Sequence, residues 1–171
     1  MDVEFCSAIN LEIAASATPW ESFKATPTLW NQIPAKCGIY MFLFESTLRL
    51  TAVTSVPSAF QWVLYVGRAG SPDSTKTLKD RYRAEYSKYI GGDPNQLWDA
   101  THPRTREDRL KKYLSIYPLR YWFSIIEDRY KIPVIENRLI KILNPPLNVA
   151  GRSRLKIMQP EPAFRSDEND E

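Results

Sequence analysis

The stretch from Gly38 to Phe44, GIYMFLF, is apolar at every position. A strand with one face in water alternates apolar and polar residues, so an unbroken apolar run of this length marks a strand covered on both faces. A second run, QWVLYVG from Gln61 to Gly67, follows a polar, Ser/Thr-rich stretch at 45–60 that contains Pro57. The LRLTAV segment inside that stretch can extend the first strand into a hairpin, so the two runs are expected to pair antiparallel.

A third strand is marked by Leu119, Tyr121, Phe123 and Ile125 alternating with Arg120, Trp122 and Ser124. Leu78, Tyr82, Tyr86 and Tyr89 fall at helical spacing, with Arg81, Glu85 and Lys88 on an adjoining stripe. Thr105 and Asp108 have the spacing of a capping box ahead of a second helix face, Leu110, Tyr113, Leu114 and Tyr117. Pro133 suits the first turn of a third helix with Ile135, Leu139, Ile142 and Leu143 as its buried stripe, ended by Pro145 and Pro146. Glu136 stands at the margin of that stripe, four residues from Ile132 and from Ile140. The order strand, strand, helix, helix, strand, helix is an α/β (α+β) fold: a small antiparallel three-stranded central sheet flanked by helices. Residues 1–37 read as a lead-in of helix and loop, 38–150 as the domain, and 151–171 as a basic then acidic tail expected to be flexible.

Composition narrows the chemistry. With 43% hydrophobic and 25% charged residues, the chain has apolar residues enough for one core. No run approaches the roughly 18 uncharged apolar residues of a membrane helix, and the opening residues lack the basic stretch of a signal peptide. A soluble protein of the cytoplasm or nucleoid, not a secreted or membrane one, is the expectation. Cys6, Cys37 and the single His102 cannot assemble a disulfide framework or a Cys/His zinc site, so a metal has to be held mainly by oxygen. The formal charge of +3 includes Asp167, Glu168, Asp170 and Glu171 near the end of the chain, which mask a more basic body. Such a body suits a polyanion.

Three fragments now stand together: GIY at Gly38 to Tyr40, YVG at Tyr65 to Gly67, and ENRLIKILNPPLN from Glu136 to Asn148, with Arg81 in the helix between. In this order, and on these elements, they resemble the GIY-YIG nuclease superfamily over residues 38–148. The closing block is similar to that of the incision subunit of bacterial nucleotide-excision repair; the 25 residues from Tyr40 to Tyr65 are closer to the longer insert of the restriction-endonuclease members. Arg68 stands where relatives often have lysine.

The resemblance implies the GIY-YIG fold and a metal-dependent endonuclease acting on DNA. Its site would be Tyr40, Tyr65, Arg68, Arg81 and Glu136, with Asn148 in support. Glu136 would hold one Mg²⁺ (or Mn²⁺), since that ion is commonly bound by one or two carboxylates plus waters. Arg81 would grip the phosphate by a bidentate contact. A tyrosine would deprotonate the attacking water. A phenol ordinarily loses its proton only near pH 10, at about the pKa of a free tyrosine side chain, and a neighbouring cation such as Arg68, or the metal, favours the phenolate. Tyr65 is the preferred base, with Tyr40 orienting water or phosphate; Gly38 and Gly67 would let backbone approach or turn beside the site.

Relatives often carry His or Tyr one helical turn after the arginine. Here that position is Glu85, so Tyr82 or Tyr86 has to substitute, or Glu85 quenches Arg81 and leaves a catalytically inactive module that binds nucleic acid or a partner. Arg104, Arg106, Arg109, Lys111, Lys112, Arg152 and Arg154 could track phosphates, or form an ordinary solvated face. Specificity would come from the segments at 45–60 and 91–105, from a homodimer, or from a partner protein. Each site residue also has a plainer reading: Tyr40 and Tyr65 as core tyrosines, Arg81 and Glu85 as a surface pair, Glu136 as a solvated carboxylate.

Overall fold

The computed structural model of the chain describes residues 16–50, 58–92, 105–116 and 118–148. Both apolar runs are strands: β2 (Gly38–Leu50) and β3 (Ser58–Ala69) pair antiparallel, Tyr40 opposite Gly67 and Phe42 opposite Tyr65. The expected third strand is β4 (Leu119–Ile125), on the other side of β2.

The sheet has four strands rather than three. β1 (Glu21–Lys24) pairs antiparallel with the outer side of β4, giving the order β1-β4-β2-β3. Its four residues carry too short a pattern to stand out from the lead-in. What seats it is Phe23, whose ring stacks on Phe123 of β4 with centroids 5.9 Å apart and planes 3° from parallel.

Both faces of β2 are covered, as its unbroken apolar run requires. Tyr40 and Phe42 point to one side, where they meet Tyr121 and Phe123 of β4 and the buried residues of the first two helices. Ile39, Met41 and Leu43 point to the other, against the third helix. The first helical segment begins as α1 (Leu78–Arg81), opened by a capping box of Thr77 and Asp80, and widens into a π turn over Tyr82–Tyr86, with Ser87 N–H bonded to Tyr82 C=O at 2.9 Å. α2 (Arg106–Leu114) starts with the expected Thr105/Asp108 capping box and buries Leu110, Tyr113 and Leu114. Tyr117 lies outside the described residues.

α3 (Lys131–Leu143) buries Ile132, Leu139 and Ile140, while Ile142 is exposed. The stripe is therefore rotated from the one expected. Its i, i+4, i+8 row runs Ile132, Glu136, Ile140, which draws the carboxylate onto the covered face instead of leaving it at the margin. No helix among the described residues is long and apolar enough to cross a membrane.

Candidate active site

β3 is an edge strand, and two local features at its edge shape the site. Phe42 pairs with Tyr65 but Leu43 with Val63, so Leu64 is an extra residue, a β-bulge directly before Tyr65. Bulges bend the strand and re-aim the neighbouring side chain. Asn148 then covers the exposed edge: its Oδ1 accepts from Val66 N–H at 2.9 Å and its Nδ2 donates to Val66 C=O at 2.8 Å, while Leu147 N–H bonds the Leu64 carbonyl at 3.0 Å. The amide thus replaces a fifth strand. Asn148 is not among the residues lining the cleft; its amide fixes the backbone between Tyr65 and Gly67.

A cleft of about 150 Å³ is lined by Tyr40, Tyr65, Arg68, Arg81, Tyr86, Arg106 and Glu136. Tyr40, Tyr65, Arg68, Arg81 and Glu136 had been expected together, and they come from β2, β3, α1 and α3. Arg68 is the cross-strand partner of Ile39, on the α3 side of the sheet, whereas Tyr65 pairs with Phe42 on the other. The cleft therefore draws on both faces where they meet at the edge of β3.

Three phenol rings form its floor. The centroids of Tyr40, Tyr65 and Tyr86 are 5.6 to 6.2 Å apart, and the Tyr40 and Tyr86 hydroxyls are hydrogen-bonded at 2.6 Å. Gly67 makes room for this: a Cβ there would sit 2.5 Å from the Tyr40 Cζ and hydroxyl oxygen, so the last residue of YVG is glycine because the tyrosine of GIY lies across it. Gly38 is needed for a different contact, since a Cβ would strike the Ser124 carbonyl oxygen of β4. Burial raises the Tyr40 and Tyr86 phenols well above their ordinary values, so both remain neutral hydrogen-bond partners. Tyr65 is the more accessible of the two motif tyrosines.

The helix after Arg81 continues as a π turn. With one residue more per turn than an α-helix, it brings both Glu85 and Tyr86 near the arginine's direction, and Tyr86 enters the cleft. Tyr82 does not: its hydroxyl donates to the Thr26 carbonyl at 2.7 Å within the core.

The cations are distributed differently from expectation. Arg68 Nη1 donates to Glu136 Oε2 at 2.9 Å. The cation beside Tyr65 is Arg106, the first residue of α2, whose Nη2 lies 3.3 Å from the Tyr65 hydroxyl and 3.4 Å from that of Tyr86. Arg81 pairs with Glu85, which also faces Arg106 Nη2 at 3.6 Å and Lys76 Nζ at 3.4 Å. Burial works against the Glu85 charge, but these three cations outweigh it and hold the carboxyl below its usual range. At Glu136 the balance is opposite: burial wins over Arg68 and Arg81 and the carboxyl is raised.

Of the remaining basic residues, Arg109, Lys111 and Lys112 are on α2 and not among the residues lining the cleft, Lys111 paired with Glu107 at 3.6 Å. Arg104, Arg152, Arg154, His102 and the tail lie outside the described residues. No group of three or more His, Cys, Asp or Glu side chains is gathered among the described residues, and Glu136 is the one carboxylate among those lining the cleft. A hard divalent cation could be held there by Glu136, waters and oxygens of a bound phosphate, a donor set that suits Mg²⁺ and excludes a preformed all-protein cage. The chain matches no family model, no curated protein and no solved structure.

Proposed function

We propose that this chain is a metal-dependent endonuclease of the GIY-YIG type that hydrolyses phosphodiester bonds in DNA. The observation that carries the reading is convergence: Tyr40, Tyr65, Arg68, Arg81 and Glu136, spread over almost 100 residues and four elements, line one small cleft. Partial burial of the Glu136 carboxylate beside Arg68 costs desolvation, and phosphoryl chemistry needs both signs of charge in one place.

In this mechanism Arg81 and its neighbours hold the non-bridging oxygens of the phosphate, and Tyr65 takes a proton from the attacking water. The water oxygen forms a bond to phosphorus, the bond to the leaving oxygen breaks, and that oxygen is protonated from solvent. Tyr40 and Tyr86, as neutral phenols, orient water and phosphate by hydrogen bonds. Glu136 would hold Mg²⁺ or Mn²⁺, which supplies Lewis-acid stabilisation of charge on phosphate oxygens. Arg68 would fix the carboxylate in place.

A second reading has its own observation. The Glu85 carboxylate already engages Arg81, so the same fold could bind nucleic acid or a partner without cutting. Nicking of supercoiled plasmid separates the two. The endonuclease reading expects cleavage by the wild type, almost none by Glu136→Gln or Arg81→Ala, and strong impairment by Tyr65→Phe. Salt-sensitive DNA binding that Glu136→Gln leaves unchanged, with no cleavage by the wild type, would establish the binding module instead. On either reading specificity comes from the segments at 45–60 and 91–105, from a homodimer, or from a partner protein.

A further inference from the structure

Glu85 does not line the cleft but is paired with two of the cations that do, Arg81 and Arg106, and its contacts are incomplete. Arg81 Nη1 meets Glu85 Oε1, yet Arg81 Nε and Glu85 Oε2 are both buried without a hydrogen-bond partner among the described residues. Oε2 has only the longer ion pair to Arg106 at 3.6 Å. A guanidinium that can present a two-pronged edge to an oxyanion is thus using one prong. Buried polar atoms left unpaired in this way are uncommon and unfavourable. Arg106 is half-satisfied too: its contacts to the Tyr65 and Tyr86 hydroxyls, 3.3 and 3.4 Å, are long. Its position as the first residue of α2 also opposes the helix dipole, which favours acids there.

We infer that Arg81 and Arg106 form an anion subsite for a phosphate group, and that Glu85 is its exchangeable resident, displaced when the phosphate binds. The inference rests on the phosphodiester reading of the cleft and deepens it, by making Arg106 a phosphate ligand and Glu85 a gate. The geometry explains why an acid is tolerated. Without a carboxylate, two guanidinium groups facing the same space would repel; with one, they stay in register until the two non-bridging oxygens of a phosphate group offer both prongs of Arg81 a partner. Lys76, whose Nζ lies 3.4 Å from Glu85 Oε1 on the solvent side with half its side chain exposed, gives the displaced carboxylate somewhere to go.

The test is phosphate binding in EDTA, with no cleavage required. Inorganic phosphate stabilises whatever folded state it binds, so melting temperature is followed against phosphate concentration for wild type, Glu85→Gln and Arg106→Gln. Removing one competing carboxylate should tighten phosphate binding by about tenfold in Glu85→Gln. Arg106→Gln should weaken it by about tenfold. Weaker or unchanged binding in Glu85→Gln would mean that Glu85 is a fixed brace for Arg81, and the inference falls. Should Glu85→Gln fail to fold, Arg106→Gln decides: that side chain is 55% exposed, and unchanged phosphate binding in this variant overturns the subsite. Tightening in Glu85→Gln from a wild type that never cuts DNA would keep the subsite and remove the nuclease reading, so the two can fail separately.

Discussion

Replacing Asn148 by alanine tests whether this residue acts by chemistry or by holding β3. Its side chain makes two hydrogen bonds to the backbone of Val66, at 2.9 and 2.8 Å, and Val66 is fully buried. Each bond is worth about 0.5–1.5 kcal/mol net, and a buried backbone group left without a partner costs about 1–3 kcal/mol. Two backbone groups lose their partner, so the cost is about 2–6 kcal/mol, toward the lower end if water enters the edge. At about 2–4 °C per kcal/mol for a chain of this size, the melting temperature should fall by roughly 4–24 °C. Val66 lies between Tyr65 and Gly67, so nicking should fall as well, by about ten- to a hundredfold, as a misplaced group costs. Asn148→Asp should be no better: one carboxylate oxygen still accepts from the Val66 N–H, but the other meets the Val66 carbonyl. Thermal unfolding and amide exchange at Val66 check this. Activity lost at an unchanged melting temperature and unchanged Val66 protection would refute the positioning role and put Asn148 back in the chemistry.

Glu136→Gln should abolish cleavage and yet raise stability at neutral pH. Burial raises this carboxyl, so ionising it costs folding free energy; the cost is absent below the unfolded value of about 4.3 and appears as pH rises through the folded one. The variant's gain in melting temperature should therefore vanish below about pH 4, and a loss at neutral pH would mean that the Arg68 pair outweighs burial. Gly67→Ala should drive the Tyr40 ring from its place, since the added carbon meets that ring at 2.5 Å; nicking should drop by about tenfold or more, and full activity would show that Tyr40 does not need this position. Tyr86→Phe should impair nicking while Tyr82→Phe should cost about 1 kcal/mol of stability and leave turnover intact, because only the first hydroxyl is in the cleft; equal effects on turnover would remove Tyr86 from the site.

Much of this was legible in the residues. Strands β2 and β3 followed from apolar runs with no polar alternation, β4 from its alternation, and α2 from a capping box that the structure reproduces. The convergence of Tyr40, Tyr65, Arg68, Arg81 and Glu136 was likewise expected. What local pattern could not give was anything decided across the sheet. β1 depends on one ring stacking on Phe123, and Asn148 owes its role to the unpaired edge of a strand 82 residues away. Spacing already put Tyr86 on the apolar face with Leu78 and Tyr82, but it did not show the π turn there, and Arg68 was drawn to Glu136 because the stripe on α3 buries Ile132 and Ile140 around it. Arg106 carried one signal, a cation at the first position of a capped helix, but nothing set it apart from the other basic residues nearby.

The most direct measurement is whether metal-stripped wild-type protein, mixed with supercoiled plasmid, converts it to nicked circles when Mg²⁺ or Mn²⁺ is restored. The account predicts conversion that rises with metal concentration and is missing in Glu136→Gln under the same conditions. Plasmid left intact at every concentration of either ion, or cut equally well by Glu136→Gln, would contradict it.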